Sequence, residues 1–239
     1  MRSPSQLTLP IFRGPRFAEV DFRLAPSNAE AWAWLRRTEA WPNHRLALWG
    51  EAGRGKSHLL HIWAARAGAE ICYGPELSGL PASPTTGVAL DDADTLADEA
   101  ALLHLLNAAA EARLPVLLAA RRPPARWPVS LPDLASRLRA ITAVEIGPPE
   151  DDLLRPLLAR LLADRQLRVP EPVQDWLLRR LQRSAAALGD AVEQLDKAAL
   201  DRHHSITARF AAEVLQDILA PDEISGTNFT PSREGDALL

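Results

Sequence analysis

Residues 46–60 constrain the fold of this chain more than any other segment. They join an apolar run, a turn that contains glycine and a second apolar run, which is the pattern of a buried strand, a loop and a helix. Residues 50–57 fit G-x-x-x-x-G-K-[ST], a loop whose backbone N–H groups face bound phosphate at a helix N-terminus. We therefore predict a nucleotide site formed by this loop and the first turn of the helix: Gly50, Glu51, Ala52, Gly53, Arg54, Gly55, Lys56, Ser57 and His58.

The distribution of lysine supports this prediction. Of the 27 basic residues only Lys56 and Lys197 are lysines, and all the others are arginines. A planar guanidinium does not replace a compact ammonium among phosphate oxygens. The first lysine thus occupies the position at which phosphate binding favours an ammonium. The alternative is a plain strand–turn–helix whose glycines only shape the turn and cap the helix.

A second signal is the apolar run 87–90, which ends in Asp91 and Asp92. An apolar strand that ends in paired acids downstream of a phosphate loop is typical of the magnesium side of a nucleoside triphosphatase. We predict that Asp91 and the Ser57 hydroxyl hold Mg²⁺, and that Asp92 polarises the attacking water. Such an Asp-Asp turn can also simply precede a helix capped by Asp94 or Thr95.

Composition restricts the class of protein. The chain has 239 residues, 47% hydrophobic and 24% charged, which is typical of a globular protein with a substantial core. Its net charge of −4 does not suggest a nucleic-acid-binding surface, so no sequence-specific DNA binding is expected. The single cysteine, Cys72, excludes an intramolecular disulfide, and no leader or membrane-length apolar run is evident. We expect a cytoplasmic protein without a membrane segment.

The order of predicted elements indicates an α/β fold. Strands are expected near residues 45–49, 70–73, 87–91, 114–120 and 142–146, with intervening helices at 28–39, 56–67, 97–112 and 134–140. Ser27 is the predicted cap of the first of these helices. This alternation predicts a five-stranded parallel sheet flanked by helices, with a ligand beyond the carboxyl ends of the strands.

After residue 149 the pattern changes to helices only. Leucines at helical spacing predict a small all-α module of four helices that ends near residue 219. We therefore predict four segments: an extended arm at 1–26, an α/β domain at 27–147, a helical lid at 148–220 and a disordered tail at 221–239.

The predicted arm contains the apolar hexamer Gln-Leu-Thr-Leu-Pro-Ile at residues 6–11. A side-chain amide followed by alternating leucines fits the groove of a partner protein. The alternative is an arm that packs on its own domain.

Together these features resemble the AAA+ ATPases, and in detail the DnaA branch of that family. The resemblance rests on Phe22 with Ser27-Asn28, Gly-Lys-Ser-His-Leu-Leu at 55–60 and Arg-Pro-Pro at 122–124. Leu-Pro-Asp-Leu-Ala-Ser-Arg-Leu at 131–138, and the arm at residues 6–10, are similar to the Hda group of DnaA-like regulators. The resemblance implies a P-loop AAA+ fold with a helical lid, and ATP or ADP with Mg²⁺ as ligand.

The same resemblance implies partners and a role. The partners would be the DnaA initiator and the DNA polymerase sliding clamp, and the role would be negative regulation of replication initiation through hydrolysis of DnaA-bound ATP. Arg137 would be the arginine finger offered to a neighbouring subunit's nucleotide, where a surface salt bridge is the alternative. The clamp would be bound through the arm residues Gln6, Leu7, Leu9, Pro10 and Ile11.

Two positions depart from the family pattern. The sensor arginine of the lid falls on Ala186, and the polar sensor residue after the fourth strand is Arg121. These changes imply a weak intrinsic ATPase, unless Arg183 or Arg121 takes over the role of the missing sensor residues. A DnaA-family helicase loader that acts mainly by binding, and a small-molecule kinase, are the alternative functions. Self-association into a homo-oligomer is left open.

Overall fold

The protein is described here by a computed structural model that covers residues 17, 19–80, 83–202 and 206–219. The apolar hexamer at residues 6–11 and the predicted tail at 221–239 lie outside the described residues. None of the described helices has both the length and the hydropathy needed to cross a bilayer.

Five strands form a single parallel sheet, which confirms the predicted architecture. The strands are β1 (Arg45–Trp49), β2 (Glu70–Tyr73), β3 (Val88–Asp91), β4 (Val116–Ala120) and β5 (Thr142–Glu145). Their order across the sheet is β2-β3-β4-β1-β5. The central strand β4 is buried along its whole length, as expected for a sheet that is covered on both faces.

Four helices cover the two faces of the sheet: α1 (Ala29–Leu35), α2 (Lys56–Ala67), α3 (Glu99–Glu111) and α4 (Pro132–Arg139). On one face, Leu102 and Leu134 from α3 and α4 pack in one buried cluster with Leu118 of β4. On the other face, Leu60 and Trp63 of α2 share a cluster with strand residues and with α1. Each helix thus buries one apolar side against the sheet, and α/β layering follows.

Helix α3 begins later than the sequence predicts. Its cap is Asp98, whose carboxylate accepts the N–H groups of Ala100 and Ala101, so the alternative of a helix capped by Asp94 or Thr95 does not hold. Asp94 is used elsewhere, because its carboxylate accepts the N–H of Arg121 at 2.9 Å. The Asp94 carboxylate therefore bonds to a backbone N–H that is distant in sequence, and not to the first turn of α3.

The predicted cap at Ser27 is also wrong, because this residue bonds to a distant carboxylate. Both the N–H and the hydroxyl of Ser27 donate to Glu150, each at 2.8 Å. Helix α1 instead follows Asn28, makes no side-chain cap bond and ends at Leu35. The segment before α1 is therefore joined to the segment before the carboxyl-terminal helices.

Four helices follow the sheet, as the leucine spacing predicts. They are α5 (Asp151–Asp164), α6 (Glu171–Arg180), α7 (Ala185–Arg202) and α8 (Ala208–Val214). They have a hydrophobic core of their own, which includes Leu158, Leu177, Leu188, Leu195 and Phe210. We call these four helices the lid.

Leu118→Ala tests whether the sheet core carries the stability of the fold. Leu118 is fully buried in β4, so we expect the substitution to lower the free energy of unfolding by about 2–5 kcal/mol, measured by urea denaturation. The matched control is Leu200→Ala, since Leu200 is 62% exposed and should change stability by less than about 0.5 kcal/mol. Equal losses for the two variants would contradict this assignment.

Candidate nucleotide site

The loop at residues 50–55 connects the carboxyl end of β1 to the first residue of α2. Gly53 and Gly55 have φ angles of +75° and +88°, a region in which a residue with a side chain is strained. Helix α2 begins at Lys56, so the unpaired N–H groups of its first turn face the loop. This is the arrangement that presents backbone donors and a positive helix end to a phosphate.

Lys56 is almost completely buried beside the loop. Its Nζ donates to the carbonyls of Gly50 at 2.7 Å and Glu51 at 2.8 Å. Burial lowers the pKa of this ammonium, and the negative charges of Asp91, Asp94 and Asp92 oppose that shift. Because an ammonium has three N–H donors, one donor of Lys56 is left for an anion in the loop.

Asp91 and Ser57 are the two residues predicted to hold a magnesium ion beside the loop. Asp91 is 6% exposed at the carboxyl end of β3, and its negative charge opposes the lowering of the pKa by burial at both Lys56 and His61, so it lies near both. One of its oxygens accepts the N–H of Asp92 at 3.0 Å. Carboxylate and hydroxyl oxygens fit Mg²⁺, which takes its remaining ligands from water and phosphate. Among the described residues, no three His, Cys, Asp or Glu side chains are grouped so that they could hold a metal ion.

Asp92 follows β3 in a strained turn. Its φ of 48° lies in the left-handed region, and its carbonyl accepts the N–H and the hydroxyl of Thr95 at 3.0 and 2.7 Å. Strain of this kind, roughly 1–3 kcal/mol, is concentrated at functional sites. The turn exposes Asp92 at the same edge of the sheet as the loop.

Asp94 is a residue of the site that the sequence analysis treated only as a helix cap. One carboxylate oxygen accepts the N–H of Arg121, and the other is buried without a hydrogen-bond partner. The positive charge of Arg121 contributes to lowering the pKa of Lys56, so this predicted sensor substitute lies near the loop. Its position in the same turn as Asp91, directly after β3, is the sequence signal that could have placed Asp94 at this site.

The lid contacts the loop directly at Gly53. The N–H of Ala185 donates to the carbonyl of Gly53 at 3.3 Å, and a Cβ at Gly53 would lie 2.4 Å from the Ser184 Cβ. The Ser184 hydroxyl accepts the N–H of Ala187 at 3.1 Å and so caps α7. Ala186, in the first turn of α7, thus lies beside the loop without a charged side chain.

Arg183, the other candidate to replace the sensor arginine, is engaged elsewhere. It forms an ion pair with Asp151 at 2.8 Å and donates to the carbonyl of Pro149 at 3.1 Å. These contacts tie the start of α7 to the start of α5.

His58, predicted to contribute to the site, lies against the amino-terminal segment. Its ring is 5.7 Å from that of Phe17 and meets Phe22 edge-on at 5.9 Å. Phe17 also stacks on His61 at 4.2 Å, and burial lowers the pKa of His61. One side of α2 therefore packs against the segment that precedes α1, through Phe17 and Phe22.

The structure does not bring Arg137 to the loop. Arg137 lies in the last turn of α4, before the start of β5, whereas the loop follows the end of β1. The intervening strand β1 has five residues, which corresponds to about 16 Å. Lys56, Ser57, Asp91 and Asp92 share one edge of the sheet, and Arg137 lies at the opposite edge.

Comparison with known proteins agrees with this architecture. Residues 151–215 match the family model described as the Hda lid domain. Domain III of Thermotoga maritima DnaA matches with a TM-score of 0.71 and 17% identity, over 87% of this chain and 99% of that chain. AMPPCP-bound DnaA from Aquifex aeolicus gives 0.62 and 17%, over 81% and 70%. A Thermotoga maritima RuvB mutant gives 0.60 and 16%, over 82% and 71%.

These matches establish an AAA+ fold: a five-stranded parallel sheet flanked by helices and followed by a helical lid. The lid is of the Hda type, and the fold is that of DnaA domain III. The match to the Hda lid model over residues 151–215 and the fold shared with DnaA domain III both agree with the resemblance found in the sequence.

Lys56→Met tests the loop as a nucleotide site. The variant removes the buried ammonium, so we expect ADP affinity to fall about 10- to 100-fold, as is typical for loss of a charged hydrogen bond. Lys197→Met is the matched control, because the only other lysine lies exposed on α7 and pairs with Glu193. Isothermal titration calorimetry with MgADP provides the measurement. Equal affinity in both variants would rule out a phosphate contact by Lys56.

Proposed function

We propose that this protein regulates the initiation of DNA replication by promoting hydrolysis of ATP bound to DnaA. The proposal rests most directly on the separation of Arg137 from the loop of its own chain by the length of β1. An arginine at that edge acts on a nucleotide only if a second molecule presents one. The Hda-type lid and the DnaA-like fold support DnaA as that molecule.

The loop would bind ATP or ADP. This part of the proposal is supported by AMPPCP in two DnaA structures of the same fold, and by the donors around Gly53 and Lys56. Lys56 would contact the phosphates, and Ser57 and Asp91 would hold Mg²⁺, which neutralises phosphate charge. Asp92, exposed at the same edge, would orient a water molecule.

Hydrolysis of the chain's own nucleotide would be slow. Ala186 provides no cation where α7 meets the loop, and Arg183 is paired with Asp151. The nucleotide would then mainly stabilise the contact between loop and lid, through Gly53 and Ala185. Arg137 would provide the charge that stabilises the transition state on the partner.

Arg137→Ala tests the finger. We expect the rate of stimulated hydrolysis of DnaA-bound ATP to fall by about 10³-fold or more, because arginine fingers contribute roughly 10³–10⁵ in rate. ADP affinity of the chain itself should stay unchanged, since the loop lies at the other edge of the sheet. The control is Arg139→Ala, an exposed arginine two residues further along α4 that faces a different direction. Full stimulation by Arg137→Ala would reject the assignment.

The hexamer at residues 6–11 would dock the protein on the sliding clamp, and this segment lies outside the described residues. Gln6→Ala combined with Leu9→Ala should weaken clamp binding by roughly 10- to 100-fold, as expected when two anchor side chains are lost. Thr8→Ala is the control, because Thr8 lies within the hexamer but is not one of the predicted clamp contacts. Surface plasmon resonance with immobilised clamp gives the affinities. Undiminished binding by the double variant, or capture of the replicative helicase instead of the clamp, would favour the loader alternative.

A further inference from the structure

The start of helix α4 is held by a carboxylate that belongs to another helix. Glu99 is the first residue of α3, and both of its oxygens accept the N–H of Ser130 at 2.9 Å. One of these oxygens also accepts the N–H of Leu131 at 2.9 Å. Leu131 is the N-cap residue of α4, and it makes no side-chain cap bond of its own. Glu99 therefore provides an external cap, and its negative charge is favourable at this end of the helix dipole.

The connection from β4 to α4 is tied to the segment after β3 at both of its ends. At its beginning, the N–H of Arg121 donates to Asp94 at 2.9 Å. In its middle, the buried Trp127 donates from its indole N–H to the carbonyl of Arg122 at 2.8 Å. At its end are the bonds to Glu99, across separations of 31 and 32 residues. The start of α4 is thus fixed relative to the segment that joins β3 to α3.

Apolar packing restricts the position of α4 less sharply than these bonds do. The helix has eight residues, and its buried side chains are Leu134 and Leu138, which join the core cluster on one face of the sheet. Apolar burial is non-directional, whereas a hydrogen bond weakens steeply when its angle changes. The bonds to Glu99 therefore define where the first turn of α4 lies.

Arg137 depends on this helix for its position. It lies in the last turn of α4, and among the described residues it forms no ion pair. Its Nε is buried without a hydrogen-bond partner. Since no carboxylate holds the guanidinium, its location follows from the backbone of α4, which begins at the residues bonded to Glu99.

We propose that Glu99 is a positioning residue for Arg137: it fixes the start of α4 and so holds the guanidinium at the place where a partner presents its nucleotide. This inference rests on the proposed function, in which Arg137 acts on ATP bound to DnaA. A displacement of about 1 Å in the groups that carry out a reaction costs up to about 10²-fold in rate. The alternative is that Glu99 only stabilises the fold as a helix cap.

Glu99→Ala tests the inference in the full chain, by single-turnover hydrolysis of DnaA-bound ATP over a series of concentrations of this chain. We expect the maximal rate to fall about 10- to 100-fold, because Arg137 is displaced. The concentration that gives half of the maximal rate should stay unchanged, because Glu99 does not act on docking. Glu99→Gln keeps the side-chain length and one acceptor oxygen, so its rate should lie closer to that of the parent. A rate as low as that of Glu99→Ala would reject the hydrogen bonds as the cause.

Thr207→Ala is the matched control for stability. Thr207 caps α8 in the lid, where its hydroxyl accepts the N–H of Phe210 at 3.2 Å. Both variants lose a helix cap, so each should lower the melting temperature by about 2–4 °C. Only Glu99→Ala should reduce the stimulated rate. Equal losses of rate in the two variants would identify stability as the cause and overturn the inference.

Amide hydrogen exchange provides a readout that does not depend on DnaA. Exchange at Ser130, at Leu131 and in the first turn of α4 should be faster in Glu99→Ala than in the parent, and unchanged in Thr207→Ala. Unchanged exchange in Glu99→Ala would contradict the assignment, because the bonds to Glu99 would then not hold the helix.

The Arg137→Ala variant separates this inference from the proposed function. If Arg137→Ala abolishes stimulation and Glu99→Ala retains it in full, the finger role stands and the positioning role of Glu99 fails. If Arg137→Ala stimulates fully while Glu99→Ala exchanges faster at α4, the finger role fails, and Glu99 holds the helix without a part in stimulation.

Discussion

The parallel pairing of β1 with β4 and β5 decides which chemical groups of this protein can meet. In a parallel sheet all strands begin at one edge and end at the other. The loop after β1, the acids after β3 and Arg121 after β4 are therefore brought together. The residues that precede the strands, Arg113 and Arg137 among them, collect at the opposite edge with Arg45. The loop at residues 50–55 and this arginine cluster thus lie at opposite ends of the strands of one chain.

The parts of this arrangement that follow local rules were predictable from sequence. The strand, loop and helix around Lys56 were predicted from the pattern of residues 46–60, and the sheet was predicted because strands and helices alternate along the chain. The four lid helices were predicted from leucines at helical spacing, and these leucines form the lid core. Asp91 lies near Lys56, as the acidic strand end suggested.

The remaining features depend on contacts that a local pattern does not contain. Ser27 and Asp94 look like helix caps in sequence, but Glu150 and the N–H of Arg121 bond to them across long separations. The contact between Gly53 and Ser184 joins loop and lid, and neither residue type announces it. Each arginine of the cluster at the opposite edge looks alone like a solvated surface residue. Only the folded chain brings three of them together, and among the described residues none of the three forms an ion pair with a carboxylate.

The hydrogen bonds between Ser27 and Glu150 place the segment before α1 next to the start of the lid. These residues are 123 positions apart, yet Glu150 accepts two hydrogen bonds from Ser27. The entrance and the exit of the α/β unit are therefore adjacent, as is common for domains whose termini lie at the surface. The segment before α1 and the lid therefore both connect to the α/β unit at the contact between Ser27 and Glu150. A partner that binds the segment before α1 close to Ser27 therefore also lies next to the start of the lid at Glu150.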